Sequence, residues 1–305
     1  MKSSRSAALL CALALAGGFA AACGTEQSAA GPAPTGPAAA RDDYHPTVRE
    51  ATAGLDGHTV FRPADLDAFP DASVPVLAWA NGGCRTSNIA TTSFLTGIAA
   101  QGYIVIANGA PDEHPIEQLP DDTLARPDRL IDAIDWATDP DTGGDRFGGK
   151  ADTGKIGVMG TSCGGVEALL AAADLRVDAV AGLNTGFFPR KRFGFERTEL
   201  NKIEVPTLLF NGGDTDQAKQ NSIDNFDLLD TSAVLVAQET AGHSGLTYGL
   251  DAGDTSGPML IAGYTMVTDW FDYTLHGNGE AEAQFVGEAC GLCTKPSWTV
   301  RTKNL

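Results

Sequence analysis

The sequence predicts an α/β fold with a mostly parallel central sheet and helices on both of its faces. From residue 74 onward, short apolar runs rich in β-branched residues alternate with longer segments of helical periodicity. The run at 103–107, Tyr-Ile-Val-Ile-Ala, is almost continuously apolar, which is typical of a strand covered on both faces. Strands that alternate with helices form βαβ units, and such units build parallel sheets.

Each element is predicted from its own pattern. Helical segments place apolar residues three and four positions apart, as Leu130, Ile131 and Ile134 do. The Gly- and Asp-rich segment 139–153 is predicted to be a loop. The predicted strands are 74–80, 103–107, 155–159, 177–183, 207–210 and 233–237, and the predicted helices are 87–101, 122–138, a helix from 164 onward, 217–229 and 258–275.

Composition indicates an ordinary globular protein with an acidic surface. The chain has 305 residues, of which 43% are hydrophobic and 20% charged, so it is long enough for one large domain. Its formal net charge is −18, from 21 Lys and Arg against 39 Asp and Glu. Such a charge repels phosphate backbones, and the one basic cluster that stands out is the run 190–192, Arg-Lys-Arg. Nucleic acid is therefore not an expected partner.

The N-terminus has the pattern of an export signal. Lys2 and Arg5 precede an apolar run at 7–22 that is too short for a comfortable membrane span and ends in small residues. We therefore expect a signal peptide at 1–22, an Ala-, Gly- and Pro-rich tether at 23–41 and a single domain at 42–305. Cys23 at the cleavage point predicts lipidation and a membrane lipoprotein, and simple secretion is the alternative. The membrane is expected as a partner only through that anchor.

The motif Gly-Thr-Ser-Cys-Gly at 160–164 is the strongest chemical signal in the chain. It follows the apolar run 156–159 and opens a helical segment that begins at Gly164. A turn this tight between a strand and a helix exposes the serine hydroxyl, and it needs glycines because the two backbones pass close together. Ser162 is therefore predicted to be a catalytic nucleophile rather than a structural turn residue.

With this motif in place, the segment 57–276 resembles the α/β-hydrolase superfamily. Within it, the secreted esterases with little lid structure are most similar, including cutinase-like and polyester-degrading hydrolases. That superfamily orders its triad as nucleophile, acid and histidine. The resemblance implies Asp216 as the acid, with Asp214 as the alternative in the same turn after strand 207–210. It implies His243, in a Gly-flanked loop before the last helix, as the base.

The same resemblance implies an oxyanion hole formed by the backbone N–H groups of Gly83 and Cys163. Because both donors must approach one oxygen, their neighbours must also lie close together. This predicts a Cys84–Cys163 disulfide, with two buried free thiols as the alternative. An even number of remaining cysteines in an exported protein favours a second bridge, Cys290–Cys293. A redox or metal role for this C-x-x-C pair is the less favoured alternative.

The chain departs from the polyester-hydrolase pattern at several places. Those enzymes usually carry Met where Cys163 stands and an aromatic where Gly83 stands, and their next aromatic has no clean match, although Phe187 and Phe188 lie nearby. These differences affect the substrate rather than the reaction class. The roughly twenty residues between strands 177–183 and 207–210 are too few for a multi-helix cap. An open cleft suited to bulky or polymeric esters is therefore expected.

The predicted function is hydrolysis of carboxylic esters through an acyl-enzyme intermediate. Acyl transfer or amide hydrolysis by the same triad is the alternative within enzymes, because the three residues do not select the acceptor. A non-catalytic lipoprotein that retains the fold is the alternative from another class. An ester is the expected partner, and no cofactor or metal is expected. The predicted location is outside the cytoplasm, either anchored by a lipid at the cell membrane or secreted.

Overall fold

The computed structural model describes residues 44–111, 124–144, 146–248 and 257–305. Within these ranges the strands form one nine-stranded sheet in the order β1-β2-β4-β3-β5-β6-β7-β8-β9. The strands are β1 Thr47–Ala51, β2 His58–Pro63, β3 Val74–Ala80, β4 Ile104–Asn108, β5 Ala151–Thr161, β6 Ala179–Leu183, β7 Thr207–Asn211, β8 Ala233–Gln238 and β9 Trp298–Lys303. The expected signal peptide, tether and lipidated Cys23 lie outside the described residues.

The centre of the sheet is parallel and its edges are antiparallel. Strands β4, β3, β5, β6, β7 and β8 run in the same direction. At one edge, β2 pairs antiparallel with β4, and β1 pairs antiparallel with β2. At the other edge, β9 pairs antiparallel with β8. The predicted α/β class with a mostly parallel sheet is confirmed, and this architecture is compatible with the α/β-hydrolase fold that the motif resembles.

Helices cover both faces of the sheet. The described helices are α1 Thr92–Ala99, α2 Asp128–Thr138, α3 Cys163–Ala171, α4 Lys219–Leu228, α5 Gly245–Tyr248, α6 Pro258–His276 and α7 Gly279–Glu282. Apolar side chains of α2, α3 and α4 pack on one face, and those of α1 and α6 pack on the other. Alternate residues of β3 divide between the two cores, with Val76 and Ala78 on one side and Leu77 and Trp79 on the other. Within the described ranges, no helix combines the length and apolar character needed to cross a lipid bilayer.

Two helices begin later than their patterns predict. The helix expected from residue 87 begins as a 3-10 turn at Ile89–Thr91, because the Asn88 side chain is held by Gly109. Its Nδ2 donates a hydrogen bond of 2.8 Å to the Gly109 carbonyl. The helix predicted at 122–138 begins at Asp128, directly after Pro127. The N–H of Arg126 bonds the Glu167 carboxylate at 2.6 Å instead of joining a helix.

Candidate active site

Ser162 occupies the tight turn between β5 and α3, as the motif predicts. Its backbone has φ 56° and ψ −120°, a conformation that non-glycine residues adopt rarely and that is often found at functional sites. The surrounding structure holds this conformation, because the Ser162 N–H donates a hydrogen bond of 2.8 Å to the carbonyl of Leu183 at the end of β6. The Thr185 hydroxyl donates to the Ser162 carbonyl at 2.6 Å.

The glycines on each side of this turn are required by close backbone contacts. A Cβ atom on Gly160 would lie 2.2 Å from the carbonyl oxygen of Gly164, so the strand and helix could not pass each other. A Cβ atom on Gly164 would lie 2.3 Å from the carbonyl oxygen of Ala80, which is the last residue of β3. These contacts place the serine turn directly against the turn that follows β3.

The structure brings Ser162, His243 and Asp216 together in one chain of hydrogen bonds. The Nε2 of His243 lies 3.0 Å from Ser162 Oγ, and its Nδ1 lies 2.6 Å from Asp216 Oδ1. With Nδ1 protonated and donating to the carboxylate, Nε2 is free to accept the proton of the serine hydroxyl. All three side chains come from the ends of parallel strands or from the loops that follow them. This is the arrangement that general-base activation of a serine requires.

Asp216 is a buried carboxylate with hydrogen bonds to both oxygens. Its side chain is 0% exposed. Besides His243, Oδ1 accepts from the Ala218 N–H at 2.8 Å, and Oδ2 accepts from the Gly212 N–H at 2.9 Å and from Asn184 Nδ2 at 2.8 Å. Burial raises the pKa of Asp216, but the hydrogen bonds from His243 and these other donors outweigh it, so the pKa lies below its ordinary value. The acid is therefore kept ionised beside the imidazole.

Asp214, the alternative acid, is not part of this arrangement. Its side chain is 93% exposed and forms an ion pair with Lys219 Nζ at 2.5 Å. The hydrogen bond from Lys219 lowers the pKa of Asp214. Of the two candidate acids, Asp216 contacts the His243 imidazole and Asp214 does not.

The loop that carries Asp216 and the loop that carries His243 approach each other closely at glycine residues. The Gly242 N–H donates to the Gly212 carbonyl at 2.9 Å. A Cβ atom on Gly212 would lie 1.7 Å from the Gly242 carbonyl oxygen, so no other residue fits there. Gly213 has φ 81°, and a Cβ there would lie 2.3 Å from the Glu239 carbonyl oxygen. Backbone contacts thus fix the position of the Asp216 loop relative to the His243 loop.

Asn184 is a positioning residue that the sequence analysis missed. It is fully buried at the end of β6 with φ 49°, a left-handed conformation that Asn tolerates better than most residues. Its Nδ2 donates both to Asp216 and to the Gly242 carbonyl, at 2.8 and 3.0 Å. One amide group therefore links the acid to the histidine loop. An Asn after a predicted strand is a weak signal, and only its contacts show this role.

The turn after β3 carries the predicted oxyanion donor Gly83. It is a single 3-10 turn, Gly82–Cys84, in which Gly83 has φ 69° and Cys84 has φ 51°. Its neighbour Asn81 is buried and acts as a clamp. Asn81 Oδ1 accepts from Trp79 Nε1 at 2.9 Å, and its Nδ2 donates to the Asn108 carbonyl at 2.6 Å. The clamp fixes the base of the turn to the ends of both β3 and β4.

A disulfide joins this turn to the residue after the serine. Cys84 and Cys163 are paired, and their Cα atoms are 5.2 Å apart, within the usual range for a bridge. Gly83 and Cys163, the two predicted oxyanion donors, therefore lie on adjacent backbone segments. Cys290 and Cys293 form a second pair with Cα atoms 5.0 Å apart, in the segment between α7 and β9. Within the described ranges, no cluster of three or more His, Cys, Asp or Glu side chains is placed to hold a metal ion.

A cavity of about 190 Å³ opens beside Ser162 and His243. Its walls come mainly from the segment after β6 and from the start of α4, and they include the aromatic rings of Phe188 and Phe193 and the guanidinium of Arg192. Phe187, the other aromatic noted near this point in the sequence, is buried in the core instead. Among the described residues, the cavity that contains Ser162 and His243 therefore also contains apolar surface and one cation.

No protein-family model matches the chain, and no curated protein matches it significantly.

Proposed function

We propose that this protein is a serine hydrolase of carboxylic esters that works through an acyl-enzyme intermediate. The observation that carries the proposal is the continuous hydrogen-bonded arrangement of Asp216, His243 and Ser162. A serine in a strained turn, a histidine within 3.0 Å of its oxygen and a buried carboxylate behind that histidine have the geometry of a nucleophile, its base and its orienting acid. The resemblance to α/β-hydrolases supports the same interpretation.

In the proposed mechanism, His243 takes the proton of Ser162 as the serine oxygen attacks the ester carbonyl. The tetrahedral oxyanion would accept hydrogen bonds from the backbone N–H groups of Gly83 and Cys163. Collapse of this intermediate breaks the bond to the alcohol, which leaves with the proton from His243. Water then repeats the sequence on the acyl-enzyme, releasing the acid and restoring Ser162. Asp216 stabilises the imidazolium in both halves of the cycle.

The proposal extends to bulky esters and to a location outside the cytoplasm. A multi-helix cap would be inserted in the segment 184–206, between β6 and β7. This segment instead contains one short 3-10 helix, Arg197–Lys202. Its brevity favours esters presented at a surface or carried by a polymer. The paired cysteines are compatible with an oxidising compartment. With the signal pattern at 1–22 and Cys23, they support export, as a lipoprotein or in secreted form.

The direct test is covalent labelling with a fluorophosphonate combined with hydrolysis of 4-nitrophenyl esters. Wild-type protein should be labelled and active, and Ser162→Ala should lose labelling and at least about a thousandfold of kcat while remaining folded. Ser93→Ala, at an exposed serine on α1, is the matched control and should behave as wild type. Product analysis with added alcohol separates hydrolysis from acyl transfer. An unlabelled wild-type protein, or a Ser162→Ala variant that keeps more than a few per cent of turnover, contradicts the proposal.

A further inference from the structure

Arg192 is a cation at the candidate active site of an acidic protein. The chain has a formal net charge of −18, yet the segment that follows β6 contains the run 190–192, Arg-Lys-Arg. Of these three residues, Arg192 lines the cavity beside Ser162 and His243. It is also the one Lys or Arg side chain that the cavity contains among the described residues. A positive charge at this place, in a molecule that otherwise repels anions, indicates a role in binding.

The guanidinium of Arg192 is held by aromatic rings rather than by a carboxylate. Its Cζ lies 5.4 Å from the ring centre of Phe188 and 5.1 Å from that of Phe193. The two rings pack edge to face, with their centres 5.9 Å apart. Within the described ranges, no Asp or Glu side chain lies within ion-pair distance of Arg192. Cation–π contacts orient a guanidinium from its faces and leave its N–H edge free to bind an anion.

The backbone that carries Arg192 is fixed as well. Arg192 and Phe195 exchange two backbone hydrogen bonds of 3.1 Å, which close a two-residue turn. Phe193 and Gly194, the central residues, have φ values of 53° and 89°. A phenylalanine in this left-handed region is uncommon, and the Phe193 carbonyl is held by the Ala125 N–H at 3.0 Å. The turn therefore presents a prearranged cation and ring to the cavity.

We propose that Arg192 determines substrate specificity by binding a carboxylate, so that the preferred substrates are esters that carry a free carboxylate group elsewhere in the molecule. The planar guanidinium matches a carboxylate with two parallel N–H donors. A single cation beside two phenyl rings suits a monoanion attached to an apolar or aromatic body better than a phosphate dianion. This inference rests on the proposed ester hydrolysis, since it concerns the substrate of the same site. The carboxylate belongs either to the acyl part or to the alcohol part of the ester.

Two pairs of esters distinguish a carboxylate on the acyl part from a carboxylate on the alcohol part. For the acyl part, the pair is mono-4-nitrophenyl adipate and neutral 4-nitrophenyl hexanoate, which have the same chain length. For the alcohol part, the pair is the butyrate ester of 4-hydroxybenzoic acid and that of 4-hydroxybenzamide. Wild-type protein should show a higher kcat/KM for the anionic member of one pair, and the preference should fall between about 0.05 and 0.5 M NaCl because salt screens the attraction.

Variants at Arg190 and Arg192 then show which arginine causes the preference for the anionic ester. Arg192→Gln should reduce the ratio of kcat/KM for the anionic ester to that for the neutral ester by roughly tenfold, mainly through a higher KM for the anionic ester. Arg190→Gln removes the same charge from a residue that is exposed, as Arg192 is, but does not line the cavity, and should change the preference by less than about twofold. Equal losses in the two variants, or no preference in wild type for either pair, would overturn the role of Arg192.

A binding measurement separates failure of this inference from failure of the proposed function. Monomethyl adipate and 4-hydroxybenzoate are titrated into wild type and Arg192→Gln, with ligand-observed NMR as the readout. If wild-type protein is not labelled by the fluorophosphonate and hydrolyses no ester in the panel, the proposed function is wrong. Binding that weakens roughly tenfold in Arg192→Gln then still supports a carboxylate site. If esters are hydrolysed but neither anion binds more weakly to the variant, the carboxylate site is wrong and the hydrolase proposal stands.

Discussion

Glu167 is a buried carboxyl group, and we predict that it makes the stability of the fold depend on pH. It lies on α3 and is fully buried, in the helix that Ser162 precedes. One oxygen accepts the Arg126 N–H at 2.6 Å, and among the residues that the structure describes the other has no hydrogen-bond partner. Burial raises the pKa of Glu167 from an ordinary value near 4.5 to about 7, against the opposing effect of the Arg126 hydrogen bond. The folded protein therefore resists ionisation of this group.

The sign and the size of the effect follow from this difference in pKa. Between pH 4.5 and about 7, Glu167 has lost its proton in the unfolded chain but keeps it in the folded protein. The unfolded state then binds fewer protons, so the free energy of unfolding falls as the pH rises through this window. The full difference in pKa corresponds to a loss on the order of 3 kcal/mol, reached above about pH 7. The Glu167→Gln substitution keeps the shape of the side chain but removes its ionisation, and should abolish this loss.

Urea unfolding followed by tryptophan fluorescence, with the disulfides intact, measures the prediction at about pH 4.5, 6 and 8. At the lowest pH, Glu167→Gln and wild type should have similar free energies of unfolding. At the highest pH, the Glu167→Gln variant should be more stable than wild type by on the order of 3 kcal/mol. Glu196→Gln, at an exposed position, should show no such pH-dependent difference. A difference between Glu167→Gln and wild type that stays constant across the three pH values would refute the reasoning.

Two further predictions concern the candidate site directly. In ester hydrolysis, Asp216→Asn should lower kcat by roughly a thousandfold or more, because Asp216 contacts the imidazole directly. Asn184→Gly should lower it by about tenfold, because Asn184 acts on the imidazole only through Asp216 and the Gly242 carbonyl. Asp214→Asn should lower it by less than about twofold, and a larger loss at Asp214 than at Asp216 would contradict this ranking. Reduction of the Cys84–Cys163 bridge, or its replacement by two serines, should lower kcat. It should also lower the free energy of unfolding by up to about 4 kcal/mol. Free alkylation of both cysteines in the native oxidised protein would show that no bridge exists.

The central sheet could be predicted from the sequence, and its edges could not. Strand β3 lies at Val74–Ala80, the predicted position, because a strand buried on both faces must be apolar at nearly every residue. The edge strands β1 and β9 have sequences of mixed polarity, Thr-Val-Arg-Glu-Ala and Trp-Thr-Val-Arg-Thr-Lys. Most of their residues are half-buried or exposed, so their patterns resemble ordinary surface segments. The resemblance of segment 57–276 to the α/β-hydrolases therefore ended before β9, the last strand of the sheet.

The residues of the candidate site divide in the same way. Ser162 and His243 stand in motifs with a fixed order along the chain, so the sequence could assign them. The choice between Asp214 and Asp216 depends on which side chain turns inward, and in the structure Asp216 is the buried one of the two. Asn184 could not be found, because its importance comes from contacts with residues 32 and 58 positions away. Sequence motifs therefore indicate candidate reactive residues, whereas the residues that hold them in place become visible only through their contacts.

The backbone, more than the side chains, sets the geometry of this site. The serine turn contacts the end of β3 through Gly164, and the acid loop contacts the histidine loop through Gly212, at distances that no Cβ atom allows. The parallel strands have their carboxyl ends on the same side of the sheet, so the loops that follow β3, β5, β6, β7 and β8 meet there. Glycine lets some of these loops approach to van der Waals contact. Reactive groups on backbones that already touch lose little freedom on binding a substrate. A side chain larger than hydrogen at Gly212 would therefore separate Asp216 from His243 without touching either of them.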